Sequence, residues 1–188
     1  YVIGGVKVGV SICEDIWTDE VTECLAECGA EILIVPNGSP FDWKKSDERL
    51  NIAASRVTET GLPMAYLNQI GGQDELVFDG ASFVLNADAS LAIQMPDWEE
   101  ALVLTEWERT ESGGWRCLPG KKAVLEEGDA AGYHASVLGL RDYVDKNRFP
   151  SVVLGLSGGI DSALVAAMAA DALGPDRVRT VMLHYRYT

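Results

Sequence analysis

Residues 152–162 read Val152-Val153-Leu154-Gly155-Leu156-Ser157-Gly158-Gly159-Ile160-Asp161-Ser162. A hydrophobic strand, expected from Ser151 to Gly155, delivers a Ser-Gly-Gly turn onto the start of a helix expected over Asp161 to Leu173. Gly174-Pro175 closes that helix, and Val178 to Leu183 reads as the next strand. Strand, glycine turn, helix, strand is the opening of a doubly wound parallel α/β domain, in which ligands sit at the carboxyl ends of strands. The first N–H groups of a helix have no intrahelical partner and carry about half a positive charge, so they hold an anion. Glycine lets the main chain approach phosphate oxygens with no β-carbon in the way. Ser157 and Ser162 add hydroxyl donors, and Asp161 can cap the helix or ligate Mg²⁺ riding on phosphates.

Upstream of this unit, a helix is expected from about Asp129 to Lys146. Residues 109–128 change character, with Thr110-Glu111-Ser112-Gly113-Gly114, Pro119-Gly120-Lys121-Lys122 and Glu126-Glu127-Gly128, and are the best linker. The reading is therefore a first domain over 1–108, a linker over 109–128 and a second domain over 129–188. In the first, Val6 to Cys13 alternates like a half-buried strand. Thr18 and Asp19 offer N-caps for a helix whose Val21, Leu25 and Cys28 share a face until Gly29. Ile32 to Val35 reads as a buried strand, broken by Pro36-Asn37-Gly38-Ser39-Pro40. A helix over about Ser46 to Thr60, a strand over Met64 to Asn68 and a loop at Gly71-Gly72-Gln73-Asp74 follow. Ala81–Leu85, Leu91–Met95 and Ala101–Thr105 read as further strands. This order implies an α/β sandwich.

Composition narrows the functional class. Of 188 residues, 47 % are apolar and 23 % charged, which suits a chain with a packed core. The formal net charge is −14 with no basic block, so nucleic acid is not an expected partner. No apolar run approaches the roughly 20 residues of a membrane span, and no membrane partner is expected. The four cysteines (Cys13, Cys24, Cys28, Cys117) form neither a disulfide framework nor a C-x-x-C pair, which points to a reducing, cytoplasmic compartment. Cys24 and Cys28, four apart on a helix, are expected to be small apolar core residues. Both ends read as cut, because strand signals run to within a few residues of each.

The glycine loop carries neither G-x-x-x-x-G-K-[ST] nor G-x-G-x-x-G. It does carry S-G-G-x-D-S, and it resembles the pyrophosphate-loop ATPases that split ATP to AMP and pyrophosphate while adenylating a substrate. That resemblance implies a Rossmann-like ATP pyrophosphatase domain. It also implies ATP contacts from Gly155, Leu156, Ser157, Gly158, Gly159, Ile160, Asp161 and Ser162, with Mg²⁺ at Asp161.

Cys13 ends a strand and is followed by Glu14-Asp15-Ile16-Trp17. A strand-to-helix turn suits a nucleophile. Yet the two histidines, His134 and His184, are remote in sequence, and position alone favours an inert buried thiol. Ser11-Ile12-Cys13-Glu14-Asp15-Ile16-Trp17, however, resembles the nucleophile segment of the nitrilase superfamily, whose triad is Glu, Lys and Cys. The likeness continues through Asn37-Gly38-Ser39-Pro40-Phe41, Lys45 and Arg49. It then runs from Asn68 through Gln69-Ile70-Gly71-Gly72-Gln73-Asp74-Glu75-Leu76-Val77-Phe78-Asp79 to Gly80, a run similar to that of glutamine-dependent NAD synthetases.

That resemblance implies the C-terminal half of a nitrilase-like α-β-β-α sandwich followed by the start of the ATP-using domain. It makes Cys13 the glutaminase nucleophile and Glu14, Ser39 and Lys45 the glutamine-binding residues. Which substrate group each takes stays open, and Lys44, Lys45 and Arg49 also fit the solvated face of a helix. The family's Glu base and Lys would lie upstream of this chain, and most residues for deamido-NAD beyond Thr188. The implied partners are glutamine, ATP and deamido-NAD, in a homo-oligomer of the intact protein. His184 departs from the family's pattern and takes no role. Two alternatives stand beside this: another S-G-G-x-D-S amidotransferase, making GMP or asparagine, or a fragment without activity of its own.

Overall fold

The structure is a computed structural model and describes residues 1–182; the expected role-free His184 and the last residue of the final strand, Leu183, lie outside them. The chain divides into two compact units, residues 1–70 with 78–126, and residues 71–77 with the chain from 127 onward.

The first unit is built on a six-stranded sheet. In chain order its elements begin with β1 (Val2–Ile3), β2 (Val6–Val10), α1 (Glu20–Glu27) and β3 (Ile32–Asn37). They continue with α2 (Lys45–Thr60) and β4 (Met64–Asn68). The chain then forms the hairpin strands β5 (Ile70–Gln73) and β6 (Leu76–Asp79), most of which group with the second unit, before returning to the first with β7 (Phe83–Leu85) and β8 (Leu91–Gln94). The sheet order is β1-β2-β3-β4-β7-β8. β2, β3 and β4 run parallel, joined through α1 and α2, while β1, β7 and β8 extend the sheet antiparallel at its two sides. Leu33, Val35, Met64, Tyr66, Phe83 and Leu85 from the strands pack with Ala53 and Val57 of α2 in the main core. Apolar residues at 49, 53 and 57 spacing on α2 would be ordinary for an inward helix stripe. Here the first of the three is Arg49, buried at 5 % exposure. That overturns a solvated-face reading for Arg49.

Helix α2 ends where Gly61 enters the left-handed region at φ 66°, its N–H closing on the Val57 carbonyl. A side chain there carries strain, so Gly61→Ala is expected to cost about 1 kcal/mol. A shift of the denaturation midpoint at unchanged slope would register it.

Three sequence expectations are corrected here. α1 turns Thr22, not Val21, inward: Thr22 is fully buried and Val21 is exposed. With the helix rotated by that one position, Cys24 and Cys28 lie on the exposed face and are not core residues. Ala101–Thr105 forms no strand; Leu102 and Leu104 are exposed, while Val103 alone packs against Val84, Ala92 and Ile93. Alternation supplied an inward side chain there, but the backbone has no ladder partner. The segment expected as a linker carries structure: β9 (Trp107–Arg109) pairs antiparallel with β10 (Trp115–Cys117). Cys117 is fully buried, its N–H donating to Asn86 Oδ1 at 2.8 Å and its carbonyl accepting from Asn86 Nδ2 at 3.2 Å.

The second unit contains α3 (Gly128–Lys146), β11 (Val152–Leu156), α4 (Ile160–Leu173) and β12 (Val178–Met182). β11 and β12 are parallel in register from Val152 with Val178 to Leu156 with Met182. Val144, Ala172 and Leu173 form its buried core, with Val137, Leu140, Val152 and Val178 packed around them. Residues 71–77 group with this unit: the Gly72 N–H donates to Asp142 Oδ2 at 2.7 Å, and Lys146 donates to the Gly72 carbonyl. The sequence read this stretch as a loop; it is a hairpin whose turn has Asp74 at φ 52°. No described helix is long and apolar enough to cross a membrane.

Candidate active site

The carboxyl ends of the three parallel strands β2, β3 and β4 supply the site, as expected for a parallel α/β sheet. Two residues past β2, the backbone enters a single 3-10 turn, Cys13–Ile16. Asp15 fixes that turn: its carboxylate accepts the Ile12 N–H at 2.7 Å, and its own N–H donates to the Ile12 carbonyl at 3.0 Å. Cys13 itself sits at φ 52°. Left-handed backbone at a non-glycine residue is costly, and it persists where the surroundings impose it, often at functional sites. The thiol is half-buried and lines a cavity of about 240 Å³ together with Glu14, Trp17, Ser39, Lys45, Glu48 and Tyr66, among others. No histidine lines it among the described residues.

Ser39 follows β3, in the Asn37-Gly38-Ser39-Pro40 turn. Buried Arg49 holds this turn from below. Its Nε donates to Ser39 Oγ at 3.0 Å, and its Nη2 to the Ser39 and Pro40 carbonyls at 2.8 and 2.9 Å. Nη1 donates to both Asp79 oxygens at 2.8 Å, and Asp79 is as buried as its partner. Asn68, at the end of β4, closes the ring: its Oδ1 accepts the Ser39 N–H at 3.0 Å and its Nδ2 donates to the Ser39 carbonyl at 3.1 Å. The Ser39 backbone is thus fixed by two side chains, and its hydroxyl faces Tyr66. Burial pushes the Tyr66 phenol up to about 12, so it stays a protonated O–H at neutral pH. Tyr66 is held flat on Phe83, ring centroids 4.7 Å apart.

Of the other expected glutamine contacts, Glu14 is exposed at the cavity. Lys45, the first residue of α2, pairs with Glu48 at 2.8 Å and lies 5.3 Å from the centre of the Trp17 ring. The cavity therefore gathers Cys13, Glu14, Ser39 and Lys45. Sequence reasoning had not singled out Glu48, Tyr66, Asn68 or Asp79 for this site. An Asn and an Asp at the ends of apolar strands were the available signal, but their partners lie about 30 residues away.

The glycine loop belongs to the second unit. β11 ends at Leu156 and α4 begins at Ile160. Gly158 takes φ 86°, a conformation L side chains rarely adopt, and space for an approaching group lies open around it. Ser162 Oγ accepts the Ser157 N–H at 3.2 Å, donates to the Gly159 carbonyl at 3.0 Å and lies 3.1 Å from Ser157 Oγ; Ser157 Oγ in turn accepts the Gly159 N–H at 3.3 Å. The two serines thereby shape the turn itself. Gly155 and Leu156 end the strand, and Ile160 and Asp161 open the helix, both exposed. Among the described residues no three acidic, His or Cys side chains gather as a metal cage.

The carbon-nitrogen hydrolase family model matches residues 1–116, more than half of the chain. The chain belongs to the carbon-nitrogen hydrolase family. The NAD synthase family model matches residues 133–188, which include the glycine loop. Along nearly its whole length this chain is similar to glutamine-dependent NAD(+) synthetases. It is 54 % identical to that of Rhodobacter capsulatus over 99 % of the chain and 34 % of the relative. It is 41 % identical to that of Acinetobacter baylyi over 98 % of the chain and again 34 % of the relative. In structure it is similar to the glutamine-dependent NAD+ synthetase of Acinetobacter baumannii in complex with ADP. The TM-score is 0.90 at 40 % identity, covering 100 % of this chain and 35 % of that one. The chain spans about a third of the length of the relatives it matches.

Proposed function

We propose that the whole protein to which this chain belongs is a cytoplasmic, homo-oligomeric ligase that hydrolyses glutamine and uses the ammonia, with ATP, to amidate deamido-NAD to NAD. The observation that carries the reading is the union, in one chain, of a carbon-nitrogen hydrolase match holding Cys13 at a cavity and an NAD synthase match holding the Ser-Gly-Gly loop.

In the first reaction the Cys13 thiol gives up its proton and its sulfur attacks the side-chain amide carbon of glutamine; the amide nitrogen takes up that proton and leaves as ammonia, and a thioester joins the glutamyl group to sulfur. Water then cleaves the thioester to glutamate. Glu14, Ser39 and Lys45 hold the amino-acid head, and the Arg49–Asp79–Asn68 ring keeps Ser39 in place for it. Positioning of this kind supplies much of a barrier reduction, because a small displacement of a bound group costs rate steeply.

In the second reaction the loop from Gly155 to Ser162 cradles ATP phosphates on backbone N–H groups at the start of α4. Asp161 would be one ligand of a Mg²⁺ held chiefly by phosphate oxygens, an ion that neutralises phosphate charge. The carboxylate of deamido-NAD attacks the α-phosphorus and expels pyrophosphate, and ammonia then displaces AMP from the acyl adenylate to leave the amide.

The test supplies the full-length protein with ATP, deamido-NAD and glutamine labelled with ¹⁵N in the side-chain amide. The label is expected in the NAD carboxamide, with AMP and pyrophosphate formed in equal amounts. Amidation of xanthosine monophosphate or aspartate in place of deamido-NAD, or ADP and phosphate as products, would sink the reading.

A further inference from the structure

We propose that Glu48 is a specificity-determining residue of the Cys13 cavity, acting with Lys45 as a charged pair that reads the α-ammonium and α-carboxylate of an amino-acid amide. The inference rests on the glutaminase reading above and deepens it.

Among the described residues that line the cavity, the cations are Lys45 and Arg49 and the carboxylates are Glu14 and Glu48. Arg49 is spent. Its three nitrogens donate to Asp79, to Ser39 and to the Pro40 carbonyl, and it is buried beneath the turn. Substrate carboxylate is thus left to Lys45. That residue occupies the first position of α2, where the helix dipole disfavours a cation. What holds Lys45 there is the Glu48 carboxylate at 2.8 Å and the Trp17 face at 5.3 Å. A cation kept against the dipole, at the wall of a cavity beside a thiol, is placed for a ligand more than for helix stability.

Glu48 follows from the same geometry. An amino-acid head carries its two charges on one carbon, so a receptor needs a cation and an anion within a few ångströms of each other. Lys45 and Glu48 provide that spacing, with Lys45 a quarter exposed and Glu48 about half exposed. When the head group binds, the Lys45 ammonium passes from Glu48 to the substrate carboxylate, and the Glu48 carboxylate passes to the substrate ammonium. One ion pair becomes two. A simple amide lacking the ammonium would leave Glu48 with nothing to gain from that exchange.

The experiment compares glutamine with glutaramate, the same amide and chain without the α-amine, in the full-length protein, reading ammonia release. Glu48→Gln is expected to lower kcat/KM for glutamine about tenfold, mostly through KM, as loss of a charge-assisted hydrogen bond at a partly exposed site does. Glutaramate, which keeps only the carboxylate for Lys45, should lose far less. Glu48→Asp, with the charge on a shorter arm, should regain part of the preference for glutamine. Equal losses on both amides, no loss on either, or a wild-type protein that turns over the two equally would overturn the assignment of Glu48 alone. Absence of ammonia release from glutamine by the wild-type protein would overturn the glutaminase reading, and this inference with it.

Discussion

Cys13→Ala in the full-length protein is expected to abolish NAD formation from glutamine while leaving formation from ammonium salts near the wild-type rate. Removing a covalent nucleophile commonly costs on the order of 10⁵-fold or more in turnover, because the remaining groups cannot replace the bond it makes. The substitution is small in size, and Cys13 is half-buried, not part of the packed core. The strained φ of 52° is unchanged in kind, since Ala meets the same steric limits there as Cys. The first unit should therefore stay folded. The glycine loop lies in the second unit, and its described side-chain hydrogen bonds run among Ser157, Gly159 and Ser162. An ammonia-fed reaction consequently has no need of the thiol. The check is NAD production with glutamine against production with ammonium chloride, at matched ATP and deamido-NAD. Retention of the glutamine-fed rate would remove Cys13 from the chemistry, and parallel loss of both rates would mean that the substitution acts on folding.

What could be read from the sequence was what neighbouring residues decide. The Ser-Gly-Gly turn between β11 and α4 is a local matter of glycine freedom and helix-terminus N–H groups, and it fell where expected. So did the helix expected to end at Thr60; Cys13 follows β2 as expected, but that strand stops at Val10 and the cysteine opens a 3-10 turn instead of ending the strand. Errors arose where one position or one distant partner decides. A helical stripe through Val21, Leu25 and Cys28 differs from the observed inward face by a single residue, yet that rotation exposes Cys24 and Cys28 and buries Thr22. Ala101–Thr105 had a strand's alternation, but alternation cannot announce that no neighbouring strand is there to pair with. Gly71-Gly72 looked like a loop because glycine pairs usually are; the strand they join pairs with β6 and meets Asp142 and Lys146, about 70 residues later. The cavity itself was only half legible. Cys13, Glu14, Ser39 and Lys45 come from short motifs, whereas the ring beneath them joins Arg49 to Asp79 and Asn68 to Ser39 across about 30 residues.

That ring carries the other large expected effect: Asp79→Ala should destabilise the first unit by about 3–5 kcal/mol. Arg49 and Asp79 are each almost wholly buried, at 5 % and 4 % side-chain exposure, and meet through both carboxylate oxygens. With Asp79 gone, the guanidinium keeps its carbonyl and hydroxyl acceptors but has no counter-charge, in a place where water cannot reach it. Leaving a charge buried and unpaired costs far more than the intact pair contributes, and for the same reason removal of both charges is milder than removal of one. A double variant, Asp79→Ala with Arg49→Met, is therefore expected to recover part of the loss, although the Ser39 turn then rests on Asn68 alone. Denaturant unfolding followed by tryptophan fluorescence, with the two single variants and the double closing a cycle, gives the coupling energy. A single-variant loss below about 1 kcal/mol would mean that water reaches the guanidinium and the pair is not the anchor of this turn. A large loss in Asp79→Ala together with a coupling of several kcal/mol would make Asp79, 30 residues from Arg49 in sequence, the residue on which the geometry of the cavity depends.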